Sequence, residues 1–166
     1  MTTRSAFVSI VGRPNVGKST LLNALVGERV AIVSPKPQTT RTRVTGILTR
    51  GDDQLVFIDT PGIHAPKTGL SRYMVEEIKR AMSGVDVAVL VSDARGAVHH
   101  DERELLSRLK ESRVPVILAL NKIDALSQKE DMLEKIAAFS ALYDFAEIIP
   151  IRARKNDGLE ILTQAL

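Results

Sequence analysis

An apolar run, a glycine-bracketed loop and an amphipathic run follow one another near the start of the chain. That succession constrains the fold more than any other feature. Ala6 to Val11 reads as a buried strand, and Ser19 to Val26 reads as a helix. Between them, Gly12-Arg13-Pro14-Asn15-Val16-Gly17-Lys18-Ser19 fits Gly-x-x-x-x-Gly-Lys-Ser. Glycines let the backbone curl until successive N–H groups face one concavity, which suits an anion. The helix that follows adds its positive dipole end. Lys18 supplies a point charge for β- and γ-phosphates, and the Ser19 hydroxyl supplies a ligand for Mg²⁺. The phosphate-binding set therefore runs from Gly12 to Thr20. Such a pattern arises by chance in about one chain of this size in a hundred or fewer, so a phosphate site is the reading here rather than a glycine turn.

Composition narrows the class. The 166 residues suffice for one domain with a real core. Hydrophobic residues at 44% and charged residues at 26% are ordinary for a soluble globular chain. The absence of cysteine excludes disulfides and thiolate metal sites. No 18-residue apolar run spans a membrane, and the N-terminus does not resemble a signal peptide, so a reducing cytoplasm is the expected location. A net charge of +3 permits an RNA or acidic-lipid partner without demanding one. With 4% aromatics and no tryptophan, a base-stacking platform is not expected.

Strand and helix patterns alternate along the chain, which predicts an α/β fold with a largely parallel sheet. Residues 28–41, rich in Pro, Thr and Arg, read as a long functional loop. Arg43 to Thr49 and Gln54 to Ile58 read as a hairpin around Gly51-Asp52-Asp53. A second loop covers 60–70, and a helix is expected over Ser71 to Ser83. Further strands are expected at Val85 to Val91, Val114 to Leu120 and Phe145 to Ile151. Further helices are expected over His100 to Glu111, behind a Ser127-x-x-Glu130 capping box, and from Asp157 onward. The total is six strands and five helices. The last apolar helical pattern reaches Leu166 without a cap signal, which suggests a domain cut from something longer.

Two further motifs narrow the ligand. Leu55 to Ile58 is an apolar strand leading into Asp59-Thr60-Pro61-Gly62, so a carboxylate sits where it can hold a water on Mg²⁺. Gly62 can bring its N–H against a γ-phosphate because no side chain intervenes. Val116 to Leu120 leads into Asn121-Lys122-Ile123-Asp124. A carboxylate at Asp124 accepts from guanine's ring N–H and exocyclic amine, a donor pair that adenine lacks. Asn121 suits either the purine edge or the bracing of the phosphate loop. The Lys122 stem suits the base plane.

In order and spacing these motifs resemble the translation-factor-class GTPases. Gly-Arg-Pro-Asn-Val-Gly-Lys-Ser-Thr-Leu-Leu-Asn resembles the bacterial ribosome-assembly members. Pro37-Gln38-Thr39-Thr40-Arg41, followed by Asp59-Thr60-Pro61-Gly62-Ile63-His64, resembles the Era family in particular. The resemblance covers essentially the whole chain. Der-like domains are the nearest alternative, but they usually carry Gly-Val-Thr-Arg where this chain has Gln-Thr-Thr-Arg.

The resemblance implies a P-loop NTPase G domain over 1–166: a six-stranded, mostly parallel sheet with helices on both faces. It implies GTP and GDP as ligands, with hydrolysis of GTP to GDP and phosphate as a switch in small-subunit maturation. Mg²⁺ would be held by Ser19, Thr40 and, through water, Asp59. Catalysis would rest on Lys18, Asn15, Thr40 and Gly62. Asn15 matches an asparagine that helps seat K⁺ in related GTPases, in place of an arginine finger. Ile63 stands where Ras-like enzymes place a glutamine, so intrinsic hydrolysis is expected to be slow. The implied partners are 16S rRNA and the small ribosomal subunit, reached mainly through a KH domain. No KH Gly-x-x-Gly segment occurs in this chain. A monomer in the cytoplasm is implied, with room for peripheral contact at the inner face of the cell membrane.

One residue departs from the pattern. Ala153 retains the backbone N–H expected to support the guanine carbonyl, but Arg152 stands where the family carries serine, so bracing of Asp124 is expected to be weaker. Among the other features, His64, His99 and His100 read as exposed histidines. Lys36, Arg41 and Arg43, like Arg152, Arg154 and Lys155, read as solvated basic patches. Two other functions remain open from the residues: a GTP-dependent binding module with negligible hydrolysis, and an ATP-using P-loop enzyme.

Overall fold

The computed structural model describes residues 4–27, 44–58 and 82–166. Its strands are β1 (Arg4–Val11), β2 (Val44–Arg50), β3 (Asp53–Ile58), β4 (Val87–Asp93), β5 (Val116–Asn121) and β6 (Glu147–Pro150). Its helices are α1 (Lys18–Val26), α2 (His100–Ser112), α3 (Lys129–Leu142) and α4 (Leu159–Ala165). The expected helix at Ser71 to Ser83 lies outside the described residues except for Met82 and Ser83.

The strands form one sheet in the order β2-β3-β1-β4-β5-β6. Only the β2–β3 hairpin is antiparallel. Period-two alternation divides the core between the two faces. On one face Val8, Ile10, Val87, Val89 and Val91 pack with Leu21 and Leu25 of α1 and Leu159 and Leu162 of α4. On the other, Ala88, Leu90, Leu118 and Leu120 pack with Leu105, Leu106 and Leu109 of α2 and Phe139 of α3. Phe57, Leu21 and Leu90 are fully enclosed, and each such side chain contributes roughly 1.5–3 kcal/mol by leaving water.

The order reverses at β1. After it the chain builds β2 and β3 on one side, then crosses to β4 on the other. Ligands of open α/β sheets bind at such a reversal, beyond the carboxyl ends of the strands. The phosphate loop emerges there.

Local expectations shift in five places. β4 runs over Val87–Asp93, two residues later than the expected Val85 to Val91. β5 begins at Val116 and includes Asn121, so the third motif starts inside the sheet. β6 is confined to Glu147–Pro150. Before it, Phe145 packs against Phe139 and Tyr143, with ring centroids 6.0 and 4.9 Å away. The Ser127 capping box does not form, because the chain enters α3 one residue later with Gln128 as N-cap and no side-chain cap. A capping box occurs instead at α2: His99 Nδ1 accepts from the Asp101 N–H (3.1 Å) and Glu102 accepts from the His99 N–H (3.0 Å). Finally, α4 opens at Leu159 behind Gly158, while Asp157 turns to Arg152.

Candidate functional site

The turn from β1 into α1 is set by glycine. Gly17 caps the helix at φ +105°, and a Cβ there would collide with the Asn121 amide. Gly12 lies so near β4 that a Cβ would stand 2.5 Å from the Val91 carbonyl. Lys18 crosses its own loop and donates from Nζ to the Gly12 carbonyl at 2.6 Å. Asn15 is exposed and left-handed, with φ 65°. Its carbonyl accepts from Lys122 Nζ at 2.8 Å.

A cleft of about 550 Å³ opens beside this loop, within the size range of small-ligand sites. Asn15, Gly17, Lys18, Ser19 and Thr20 line one end. Asn121, Lys122, Asp124 and Ala153 line the other. Among the described residues six basic ones line the cleft: Lys18, Arg95, Lys122, Arg152, Arg154 and Lys155. Asp124 is the one acidic side chain among the described residues that line it. A strongly basic cleft with a single exposed carboxylate suits a polyanion that carries a hydrogen-bond donor edge.

Asn121 joins the two ends. It is 3% exposed, and its side chain is fully engaged along two directions. Nδ2 donates to the Val16 carbonyl at 2.9 Å, and Oδ1 accepts from the Ala153 N–H at 3.1 Å. Of the two roles open to Asn121 in the sequence, the structure gives it the brace. The Ala153 N–H, expected to face a ligand carbonyl, is bonded to Asn121 here. A ligand carbonyl would have to share that N–H or displace Asn121 Oδ1 from it.

A second link runs outside the first. The Asp93 carboxylate holds Arg95 through its Nε (3.0 Å), Nη2 (2.7 Å) and backbone N–H (3.0 Å). Lys122 Nζ lies 3.5 Å from the same carboxylate. Hydrogen bonds from the Arg95 side chain hold the Asp93 carboxyl down to about 2, against a smaller opposing effect of burial. Lys122 thereby bridges the phosphate loop and the end of β4.

Four phosphate-loop residues, Gly12, Arg13, Pro14 and Val16, do not line the cleft. Val16 is buried in the core beneath α1, with only its carbonyl serving the site. The Arg13 guanidinium lies 4.0 Å from Asp101 at the start of α2. Pro14 is exposed. Thr40, Asp59, Thr60, Pro61, Gly62, Ile63 and His64 lie outside the described residues. Among the described residues no group of three His, Cys, Asp or Glu side chains could hold a metal. The sequence reading missed Asp93 and Arg95. Their only signal is an Asp-x-Arg step just after an apolar strand.

Residues 7–122 match the family model described as 50S ribosome-binding GTPase. The chain is 48% identical over 163 residues to GTPase Era of Geotalea uraniireducens, covering 98% of this chain and 54% of that protein. It is 47% identical over 167 residues to GTPase Era of Ruminiclostridium cellulolyticum, covering 100% and 56%. The chain thus spans about half the length of the curated relatives it matches. Among solved structures it is similar to Era in complex with MgGDPNP and nucleotides 1506–1542 of 16S ribosomal RNA, with TM-score 0.79, 38% identity and coverage of 98% and 56%. It is also similar to a variant of Aquifex aeolicus Era bound to GDP and AlF4⁻, with TM-score 0.78, 38% identity and coverage of 97% and 55%.

Proposed function

The chain belongs to the 50S ribosome-binding GTPase family, and on that premise we propose that it binds GTP and hydrolyses it to GDP and phosphate as a conformational switch. The observation that carries this reading is Asn121. One buried side chain ties the phosphate loop to the base end of the cleft, so a single ligand can report to both. The exposed Asp124 carboxylate would pair with guanine's ring N–H and amine. Lys18, now on the Gly12 carbonyl, would turn to the β- and γ-phosphates.

Mg²⁺ fits the donor chemistry available: the Ser19 hydroxyl at the start of α1, joined by Thr40 and, through a water, Asp59. Bound there, the ion would neutralise charge on the phosphates. Water would attack the γ-phosphorus in line, with GDP as leaving group, and catalysis would consist of positioning and electrostatics. Release of phosphate would free Thr40 and Gly62, which is the proposed switch. Asn15, exposed at the cleft mouth, is proposed to help seat K⁺ where other enzymes place an arginine. By resemblance, the switch serves small-subunit 16S rRNA maturation in the cytoplasm. The protein would act as a monomer with peripheral contact at the inner face of the membrane. No described helix is long and apolar enough to cross a membrane.

Single-turnover GTP hydrolysis in K⁺ and in Na⁺ tests the chemistry, with faster phosphate release expected in K⁺. Equal rates would remove the cation role from Asn15. No release in either salt would leave a GTP-dependent binding module, the reading favoured by the apolar Ile63. Competition against labelled GDP tests the base: ATP competing as well as GTP would overturn the assignment of Asp124.

A further inference from the structure

Arg152 stands where the resemblance expects serine, and the segment around it is closed by a side-chain pair and two backbone hydrogen bonds. Arg152 Nε donates to Asp157 Oδ2 at 2.7 Å. The Arg152 N–H donates to the Asp157 carbonyl (3.0 Å), and the Asp157 N–H donates to the Arg152 carbonyl (3.2 Å). The residues between them form a single tight turn, Ala153–Lys155, with Asn156 left-handed behind it. The base of this loop is pinned where Gly158 packs on β6. A Cβ there would stand 2.6 Å from the Pro150 carbonyl.

The closed loop presents one buried donor inward, the Ala153 N–H, and that donor holds Asn121. Asn121 in turn holds Val16. An unbroken series of contacts therefore runs from Asp157 through Arg152, Ala153 and Asn121 to the phosphate loop. We propose that the Arg152–Asp157 clamp, in place of a serine hydroxyl, sets the position of Ala153 and Asn121 and so governs how long a guanine nucleotide stays bound. Arg152 is then a positioning residue for base recognition. This rests on the reading of the cleft as a guanine site.

The pair is half exposed, with side chains 35% and 49% accessible, so the effect is bounded. Exposed ion pairs contribute up to about 1 kcal/mol, which corresponds to roughly two- to fivefold in a rate or affinity.

The test uses the chain with a fluorescent GDP analogue and with pyrophosphate as a ligand that has no base. Arg152→Ala and Asp157→Ala are each expected to speed release of the GDP analogue about two- to fivefold. The double variant is expected to release it no faster than either single one, because both remove the same contact. Pyrophosphate binding should fall by less than GDP binding in all three, because Asn121 keeps its own bond to the Val16 carbonyl. Unchanged release in both single variants, or additive losses, would overturn the clamp. So would equal weakening of GDP and pyrophosphate with a lowered melting temperature, which would reduce the pair to general stability. If the unaltered chain does not prefer GDP to ADP, the guanine reading itself fails. A preference that persists but ignores both substitutions removes the clamp alone.

Discussion

The two ends of the cleft are built in opposite ways. The phosphate end is one continuous stretch, Gly12 to Thr20, whose shape follows from its own glycines and from the helix it opens. The base end is assembled from the exits of three strands: Asp93 at the end of β4, Asn121 to Asp124 from the end of β5, and Arg152 to Asp157 after β6. Its geometry exists only once those strands are in register, as Asp93 is beside Asn121. A local motif thus grips what all nucleotides share, and a tertiary assembly handles what distinguishes them. Asn121 inside and Lys122 outside are the links that make two devices one site.

Breaking the inner link should have the largest effect, because it strikes both ends. Asn121→Ala leaves the Val16 carbonyl and the Ala153 N–H without partners in a buried site. Each unsatisfied group costs about 1–3 kcal/mol, so a loss of roughly 2–6 kcal/mol is expected. A melting temperature lowered by about 5–15 °C, with GDP and pyrophosphate binding weakened together, is the expected result. A variant that melts normally and loses only GDP would show that the ends are not joined through this residue.

The next two substitutions separate the ends. Lys18→Ala should reduce GTP turnover about a hundredfold or more, as removal of one charge-stabilising donor does elsewhere. Discrimination between GDP and ADP should persist in that variant, and unchanged turnover would remove Lys18 from the chemistry. Asp124→Asn should do the reverse, weakening GDP about ten- to a hundredfold through loss of charged hydrogen bonds while pyrophosphate binds as before. Xanthosine diphosphate, which carries a carbonyl where guanine has its amine, should gain affinity in this variant because the new side-chain amide donates to it. Failure of that gain would place the base elsewhere in the cleft.

The contrast also decides what could be read from the sequence. The phosphate end was legible because its constraints lie within nine consecutive residues, and the sheet was legible because the nearly unbroken apolar runs at Val85 to Val91 and Val114 to Leu120 need no partner to be seen. The base end was legible only as residue types. Asn121 finds Val16 across 105 positions and Ala153 across 32, distances over which no pattern operates. The Arg152–Asp157 contact was illegible for a related reason. The loss of a serine is visible in a sequence, but a replacement contact with Asp157 is not, since it needs the turn at Ala153–Lys155 to bring the two together. His99 shows the same limit at smaller scale, as its ring nitrogen performs the capping usually given to Ser or Asp. The Ser127 capping box failed because the helix begins one residue later, and a cap depends on register to the residue.

The outer link should produce the smallest effect, and one that depends on pH. Arg95 holds the Asp93 carboxyl at about 2, below its ordinary value. As pH falls, the unfolded chain therefore takes up this proton before the folded chain does. The stabilisation from Asp93 is complete above about pH 4 and is lost as pH falls through about 2. Stability of the unaltered chain minus that of Asp93→Asn should accordingly stay flat from neutrality to about pH 4 and shrink below it, as followed by urea unfolding. At neutral pH the variant should release Lys122 from its carboxylate while leaving Asn121 in place, so GDP affinity should change by less than about fivefold. A loss as large as that of Asn121→Ala would invert the ranking of the two links. It would mean that the exposed bridge through Lys122 and Asn15, and not the buried amide, carries the connection between the ends.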